Sequence, residues 1–459
     1  MSVLLIKQKM LWVVASIITL ALFSACRPDV ETNGEDLDER LLAQLRAKAP
    51  GGDIIAFFVL PESNQFDRIP QDPRNPLTPD KITLGRMLFH ETAIGSVPKV
   101  GQGMRTYSCA SCHHAKAGFQ ACLAQGIGEG GNGFGLHGEG RTVDPLYPLD
   151  SVDVQPIRSP SAMNGAWQEI MLWNGQFGGV GLNAGTEAAW TPGTPKFNNY
   201  LGFQGLETQA IAGQKVHRLN IDPQWVNSLP KYKEMFDLAF PNVPANERYN
   251  RISAGLAIAA YERTLLSNTA PWQRWLRGTH TALSDEEKKG ALLFFGKAGC
   301  ADCHTGPALN SMTFHALGMG DLQNGNYGAI NITDDKPEHK GRGGFTGRQE
   351  DLYKFKVPQL YNLKDSPFYG HGGTFSDLRE IVAYKNKAVA QNPKVPSDKL
   401  SPYFKPLQLS DAEIDALTLF LEKSLYDPSL ERYTPFSGLP SGLCFPNNDT
   451  KARVEQGCN

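Results

Sequence analysis

The sequence predicts a mainly α-helical protein made of two similar units with long irregular loops, and three observations carry that reading. The pentad Cys-x-x-Cys-His occurs twice, as Cys109-Ala110-Ser111-Cys112-His113 and as Cys300-Ala301-Asp302-Cys303-His304. Each copy follows a similar apolar lead-in, Leu84-Gly85-Arg86-Met87-Leu88-Phe89 in the first and Gly290-Ala291-Leu292-Leu293-Phe294-Phe295 in the second. No segment alternates convincingly as a strand, and Gly 46 with Pro 31 in 459 residues is rich for a tight helical bundle.

In chain order, Lys7 and Lys9 precede an apolar run over residues 10–23, too short to span a bilayer comfortably and read as the core of a signal peptide. The run ends in Leu22-Phe23-Ser24-Ala25-Cys26, which resembles the lipobox of bacterial lipoproteins, where the cysteine becomes the acylated first residue. Residues 1–26 are thus expected to be a lipoprotein signal peptide and residues 27–49 a tether, with a short amphipathic stretch over 37–45. The folded body would then sit on the periplasmic or cell-envelope side, held to the membrane by lipid alone. Two units are expected to follow, 50–265 and 266–459. Within the first, residues 250–266 read as a helix with Ile252, Leu256, Ile258, Ala259 and Tyr261 supplying apolar contacts. In the second, Ser284-Asp285-Glu286-Glu287 is a capping-box start for the lead-in helix, and Leu409 to Leu417 opens another with Ile414, Leu417 and Leu421 apolar.

A net charge of −2, with 20% charged and 41% hydrophobic residues, describes an ordinary globular protein and argues against nucleic acid as a partner.

The eight cysteines of an exported chain are expected to be paired or ligating. C-x-x-C-H is the c-type haem attachment motif: two thiols one helical turn apart add to both vinyl groups of one porphyrin, and the adjacent histidine reaches the iron from the same side. Cys109, Cys112 and His113 are therefore expected to hold one haem c, and Cys300, Cys303 and His304 a second. A thioredoxin-like redox pair lacks its βαβ surroundings, and a zinc knuckle lacks further Cys or His at close spacing. Cys26 goes to lipid. Cys444 and Cys458 flank a turn-rich stretch near the end and are expected to form a disulfide, leaving Cys122 as a small buried hydrophobe.

Further short stretches follow in order: Ser159 to Asn164, Leu172-Trp173-Asn174-Gly175, Leu206-Glu207-Thr208-Gln209-Ala210, Val357 to Asn362 and Pro367 to Gly373. With the haem motifs, these resemble the bacterial di-haem cytochrome c peroxidase and MauG family over most of the chain from Leu84 onward. The resemblance implies a peroxidatic haem in the N-terminal unit and an electron-accepting haem in the C-terminal unit. It implies that Trp173 lies on the electron route between them, and that Asn164, with carbonyls near Lys356 and Pro358, helps hold a calcium ion.

Peroxide reduction needs a polar acid/base group above the peroxidatic haem. Gln209 matches the family's distal glutamine, whereas the stretch that usually carries a catalytic glutamate reads Gly213-Gln214-Lys215-Val216-His217-Arg218-Leu219. His217 as acid/base and Arg218 as a stabilising cation are the candidates there, with Glu207 a weaker one. His137, in the glycine-rich loop 126–141, is the candidate removable cap on the first iron, and His114 is expected to face solvent. For the second iron, Tyr384 or Lys385 is the expected outer ligand, with Met319 behind them, and His371 reads as structural. The function implied is reduction of hydrogen peroxide with electrons from a small cytochrome c or cupredoxin, in a possible homodimer. The alternatives are a MauG-like protein-modifying oxidase and a non-enzymatic di-haem electron carrier.

Overall fold

The computed structural model describes residues 36–458; the expected signal peptide over residues 1–26, including Cys26, and residues 27–35 lie outside the described residues. Eight helices of nine or more residues are found among those described: α1 (Leu37–Lys48), α2 (Pro79–His90), α3 (Gly205–Val216), α4 (Pro230–Ala239), α5 (Arg251–Arg263), α6 (Asp285–Phe295), α7 (Leu378–Lys387) and α8 (Asp411–Leu419). The strands are two short antiparallel pairs, β1 (Gly131–Asn132) with β2 (Thr142–Val143) and β3 (Phe314–His315) with β4 (Phe355–Lys356). Single 3₁₀ turns and irregular chain supply most of the rest, as the glycine and proline content predicts. No helix among the described residues is long and apolar enough to cross a membrane.

The helix starts follow from local chemistry. Thr78 caps α2 with Pro79 at its first position, and Ser284 and Ser410 each close a full capping box with Glu287 and Glu413 on α6 and α8. These helices bury one face each, forming two large apolar clusters. One gathers α2, α3, α4 and α5 around the first pentad, through Leu84, Leu88, Leu206, Phe236 and Tyr261. The other gathers α1, α6, α7 and α8 around the second, through Leu41, Phe294, Leu378, Leu417 and Phe420.

The two lead-ins play the same part. A Cβ at Gly85 of α2 would overlap the Ala257 carbonyl of α5, and a Cβ at Gly290 of α6 would overlap the Ala416 carbonyl of α8. In both units a glycine lets the helix before the pentad cross closely against the unit's last long helix.

Both chain ends depart from the expected boundaries. From residue 37 the expected tether is helix α1, whose Leu41 and Leu45 are fully buried in the second cluster, because its apolar positions recur at helical spacing and find a partner in α6. The final segment returns to the first unit, where Leu430 and Tyr433 join the first cluster. The Cys444–Cys458 disulfide closes that tail as expected. Thr92 Oγ1 donates to the Cys444 carbonyl at 3.0 Å, Ser111 Oγ to Asn447 Oδ1 at 2.5 Å, and the Phe134 N–H to Glu455 at 2.6 Å.

Candidate active site

Each pentad begins in one 3₁₀ turn, Cys109–Ser111 and Cys300–Asp302, with the histidine N–H of each donating back to the first cysteine's carbonyl. His113 Nδ1 lies 3.2 Å from the Phe119 carbonyl; His304 Nδ1 lies 3.1 Å from both the Leu309 and Pro358 carbonyls. A carbonyl can only accept, so Nδ1 carries the proton in both rings and the Nε2 lone pair is left for a metal. Burial pushes both imidazoles down to about 4, which keeps them neutral, the form a metal needs.

The surroundings fit the group that the pentads imply. Cys300, Cys303 and His304 open into a largely apolar cavity walled by Phe294, Trp173 and Leu421 among others. At the first pentad, a Cβ on Gly126 would stand 2.9 Å from Cys112 Sγ, so only glycine lets the loop run against the attachment cysteine. Gln209, on α3, has a buried Oε1 with no hydrogen-bond partner among the described residues, an acceptor whose desolvation none of them offsets.

His217 stands two helical turns beyond Gln209. A Cβ placed on Gly213 would lie 3.9 Å from His217 Cδ2 and 4.0 Å from Gln209 Nε2, so both side chains border one surface at the end of α3. His217 Nδ1 is 2.9 Å from Asp153 Oδ2; the carboxylate is buried while 40% of the histidine side chain stays accessible. Burial opposes charging the ring, but the adjacent Asp153 carboxylate outweighs it and holds His217 above the ordinary histidine value. Arg218 does not share this freedom: its guanidinium pairs with the fully buried Glu129, which also accepts from the Tyr147 hydroxyl, and donates to the Ser151 carbonyl at 2.9 Å. Glu207 is spent as well, in a fully buried ion pair with Arg263 at 2.7 Å.

Trp173 donates its indole N–H to the Arg158 carbonyl at 2.9 Å and meets the His371 ring edge-on at 6.4 Å, within the wall of the cavity at the second pentad. Gln120 and Pro160, from the chain around the first pentad, share that wall. His371 Nε2 donates to the Asp321 carboxylate at 3.0 Å and the ring stacks on Phe355 at 3.6 Å, which makes it a packed wall residue as expected.

Asn164 is fully buried in left-handed backbone; its Oδ1 accepts from the Ser267 N–H at 3.1 Å. The Lys356 ammonium donates to Gln168 and to the Ile170 carbonyl, and burial without a carboxylate pushes it down to about 7.

His137 lies exposed, its N–H held by Glu139 at 2.6 Å, beside Gly138, whose hypothetical Cβ would crowd His114. His114 is not solvent-facing: it is 5% exposed and packs edge-on against Phe134, because loop 126–141 folds over it. Cys122 is half-buried. The Tyr384 hydroxyl donates to the Leu317 carbonyl at 2.5 Å, whereas Lys385 and Met319 line the cavity with His304.

Asp153 and Glu129 carried no sequence signal. They belong to a turn-rich loop with no motif, and reach His217 and Arg218 from 64 and 89 residues away.

Residues 79–281 match the sequence pattern of the di-haem cytochrome c peroxidase family. The chain is 27% identical over 403 residues to the methylamine utilization protein MauG of Methylorubrum extorquens, covering 86% of this chain and 88% of that one. It is 28% identical over 375 residues to the cytochrome-c peroxidase IdrP1 of Denitromonas iodatirespirans, covering 77% and 84%. Cytochrome c551 peroxidase of Nitrosomonas europaea is 27% identical over 316 residues, covering 68% and 75%. In fold, the chain resembles the crystal structure of a MauG-like protein associated with microbial copper homeostasis, with a TM-score of 0.55 at 22% identity over 81% of this chain and 95% of that one.

Proposed function

The chain is a member of the di-haem cytochrome c peroxidase family, and from that premise we propose that it reduces hydrogen peroxide to water with electrons delivered by a small cytochrome c or cupredoxin. The observation that carries the reading is the pairing of an unpartnered Gln209 oxygen with the Asp153–His217 dyad at the end of α3.

A haem bound at Cys109, Cys112 and His113 supplies the iron position that peroxide occupies and the electrons that split it. The chain's own residues handle position and protons. Gln209 Oε1 accepts a hydrogen bond from the peroxide, which offsets its lost solvation. Asp153 fixes Nδ1 of His217 as the protonated nitrogen, so Nε2 is the atom that takes the proton from the inner oxygen and returns it to the outer one, letting water depart. Asp153 also stabilises the imidazolium between the two transfers. Arg218, locked on Glu129, holds the wall behind the dyad instead of reaching the peroxide. Trp173, between the two pentads, is the electron route across the apolar gap.

Export and a lipid at Cys26 belong to the same proposal, supported by the lysine-led apolar run and by the Cys444–Cys458 disulfide, a bond that persists in oxidising compartments. The experiment is peroxide-dependent oxidation of a reduced cytochrome c by the purified two-haem protein, wild type against His217→Gln. Rapid turnover by the wild type, falling about 10²-fold or more in the variant, is the expected result. Two irons that stay six-coordinate and inert to peroxide in the half-reduced state would leave an electron carrier instead. Peroxide consumption without oxidation of any small donor would point to a protein-modifying oxidase.

A further inference from the structure

Helix α7 presents Leu378, Ile381, Val382 and Lys385 to the cavity that also holds Cys300, Cys303 and His304. That is the i, i+3, i+4, i+7 stripe of an amphipathic helix, and its first three members are the apolar residues such a stripe requires. The fourth is a lysine. Among the described residues its ammonium makes no hydrogen bond and no ion pair, and the charged or titrating groups that sense it are Cys300, Cys303, His304 and His315. Lys385 is half-buried, and an ammonium with no carboxylate beside it is costly to keep against an apolar cavity unless something there uses its nitrogen.

The neighbours exclude the other reading of this helix. Tyr384 sits off the stripe, its hydroxyl donating to the Leu317 carbonyl at 2.5 Å and its ring packed against Phe375 and Phe404 at 5.0 and 5.2 Å. Its oxygen is committed to the protein. Met319 reaches the cavity from a loop, with its sulfur against the Gly370 backbone.

We propose that the neutral amine of Lys385 is the outer axial ligand of the iron held by His304, giving a His304/Lys385 nitrogen pair. The inference rests on the reading that Cys300 and Cys303 carry a haem. An amine is a hard, purely donating ligand, so it stabilises the ferric state more than a thioether does and sets this haem at a low potential.

The test uses the full-length two-haem protein, with haem count by mass spectrometry, then paramagnetic resonance, magnetic circular dichroism and potentiometry. In Lys385→Ala the second haem is expected to become high-spin and to bind added imidazole, while the first is unchanged. In Lys385→Met, similar in length and equally helix-forming, a thioether-to-iron band is expected to appear and the potential of that haem to rise. Tyr384→Phe and Met319→Leu are expected to leave both signals as in the wild type. A low-spin second haem that survives Lys385→Ala, or one lost in Met319→Leu or Tyr384→Phe, overturns the assignment. Fewer than two haems in the wild type would instead overturn the di-haem reading beneath it.

Discussion

His217 shows how far a single residue can be read without its surroundings. Its type and its place after Gln209 mark it as an acid/base candidate, but its tautomer and elevated pKa come from Asp153, 64 residues earlier, which no motif announces. Arg218 shows the converse: a cation next to a candidate base is chemically attractive on paper, yet here Glu129 already holds it. The sign of the pH dependence follows from the dyad. His217 must be neutral to accept a proton, so kcat/KM rises with pH through its raised pKa. In Asp153→Asn the raising charge is gone and burial and the Arg218 charge both lower the ring, so the acid limb is expected to move to lower pH, with the plateau falling on the order of 10²-fold. A pH-rate profile that keeps its acid limb in that variant would remove His217 from the role.

At the scale of elements, the helices whose starts are written locally were legible. Ser284 with Glu287 and Ser410 with Glu413 form the capping boxes that their spacing suggests, and residues 250–266 frame α5 to within a few residues. Helix α1 was legible as an amphipathic stretch but not as part of the core, since its docking partner α6 is some 240 residues away. The loop 126–154 was the least legible, because glycine-rich chain takes its shape from what it covers. The repeated lead-in has a sharper consequence. Gly85 and Gly290 are the contact points of the two helix crossings, so Gly290→Ala is expected to cost about 1–3 kcal/mol by overpacking α8, read as a lowered thermal midpoint. An exposed glycine such as Gly278, with open space around its Cβ position, would not test this, because its positive φ adds strain of a different origin.

For the whole molecule, the apolar clusters do not follow chain order at the two ends. Each pentad is surrounded by its own apolar cluster, but α1 belongs to the second cluster and the C-terminal tail belongs to the first. Tail contacts gather directly on the first pentad: Ser108 donates to the Pro446 carbonyl at 3.0 Å, and Ser111, bonded to Asn447, lies 3.2 Å from the same carbonyl. The Cys444–Cys458 bond closes a span of 14 residues, which in the chain-entropy view stabilises that closed form by about 3 kcal/mol. Cys458→Ser is therefore expected to lower the thermal midpoint and to open the tail to protease, leaving the spectrum of the second haem intact. Equal perturbation of both haems would show that the tail is a global clamp.

The tail also imposes an order on how the protein is made. Ser111 and Asn447, joined by a hydrogen bond in the finished fold, are 336 residues apart in the chain. Synthesis delivers Cys109 and Cys112 long before the segment that covers them, so the first pentad lies uncovered until residues 444–458 have emerged. Oxidation of Cys444 with Cys458 then ties that cover into a closed loop.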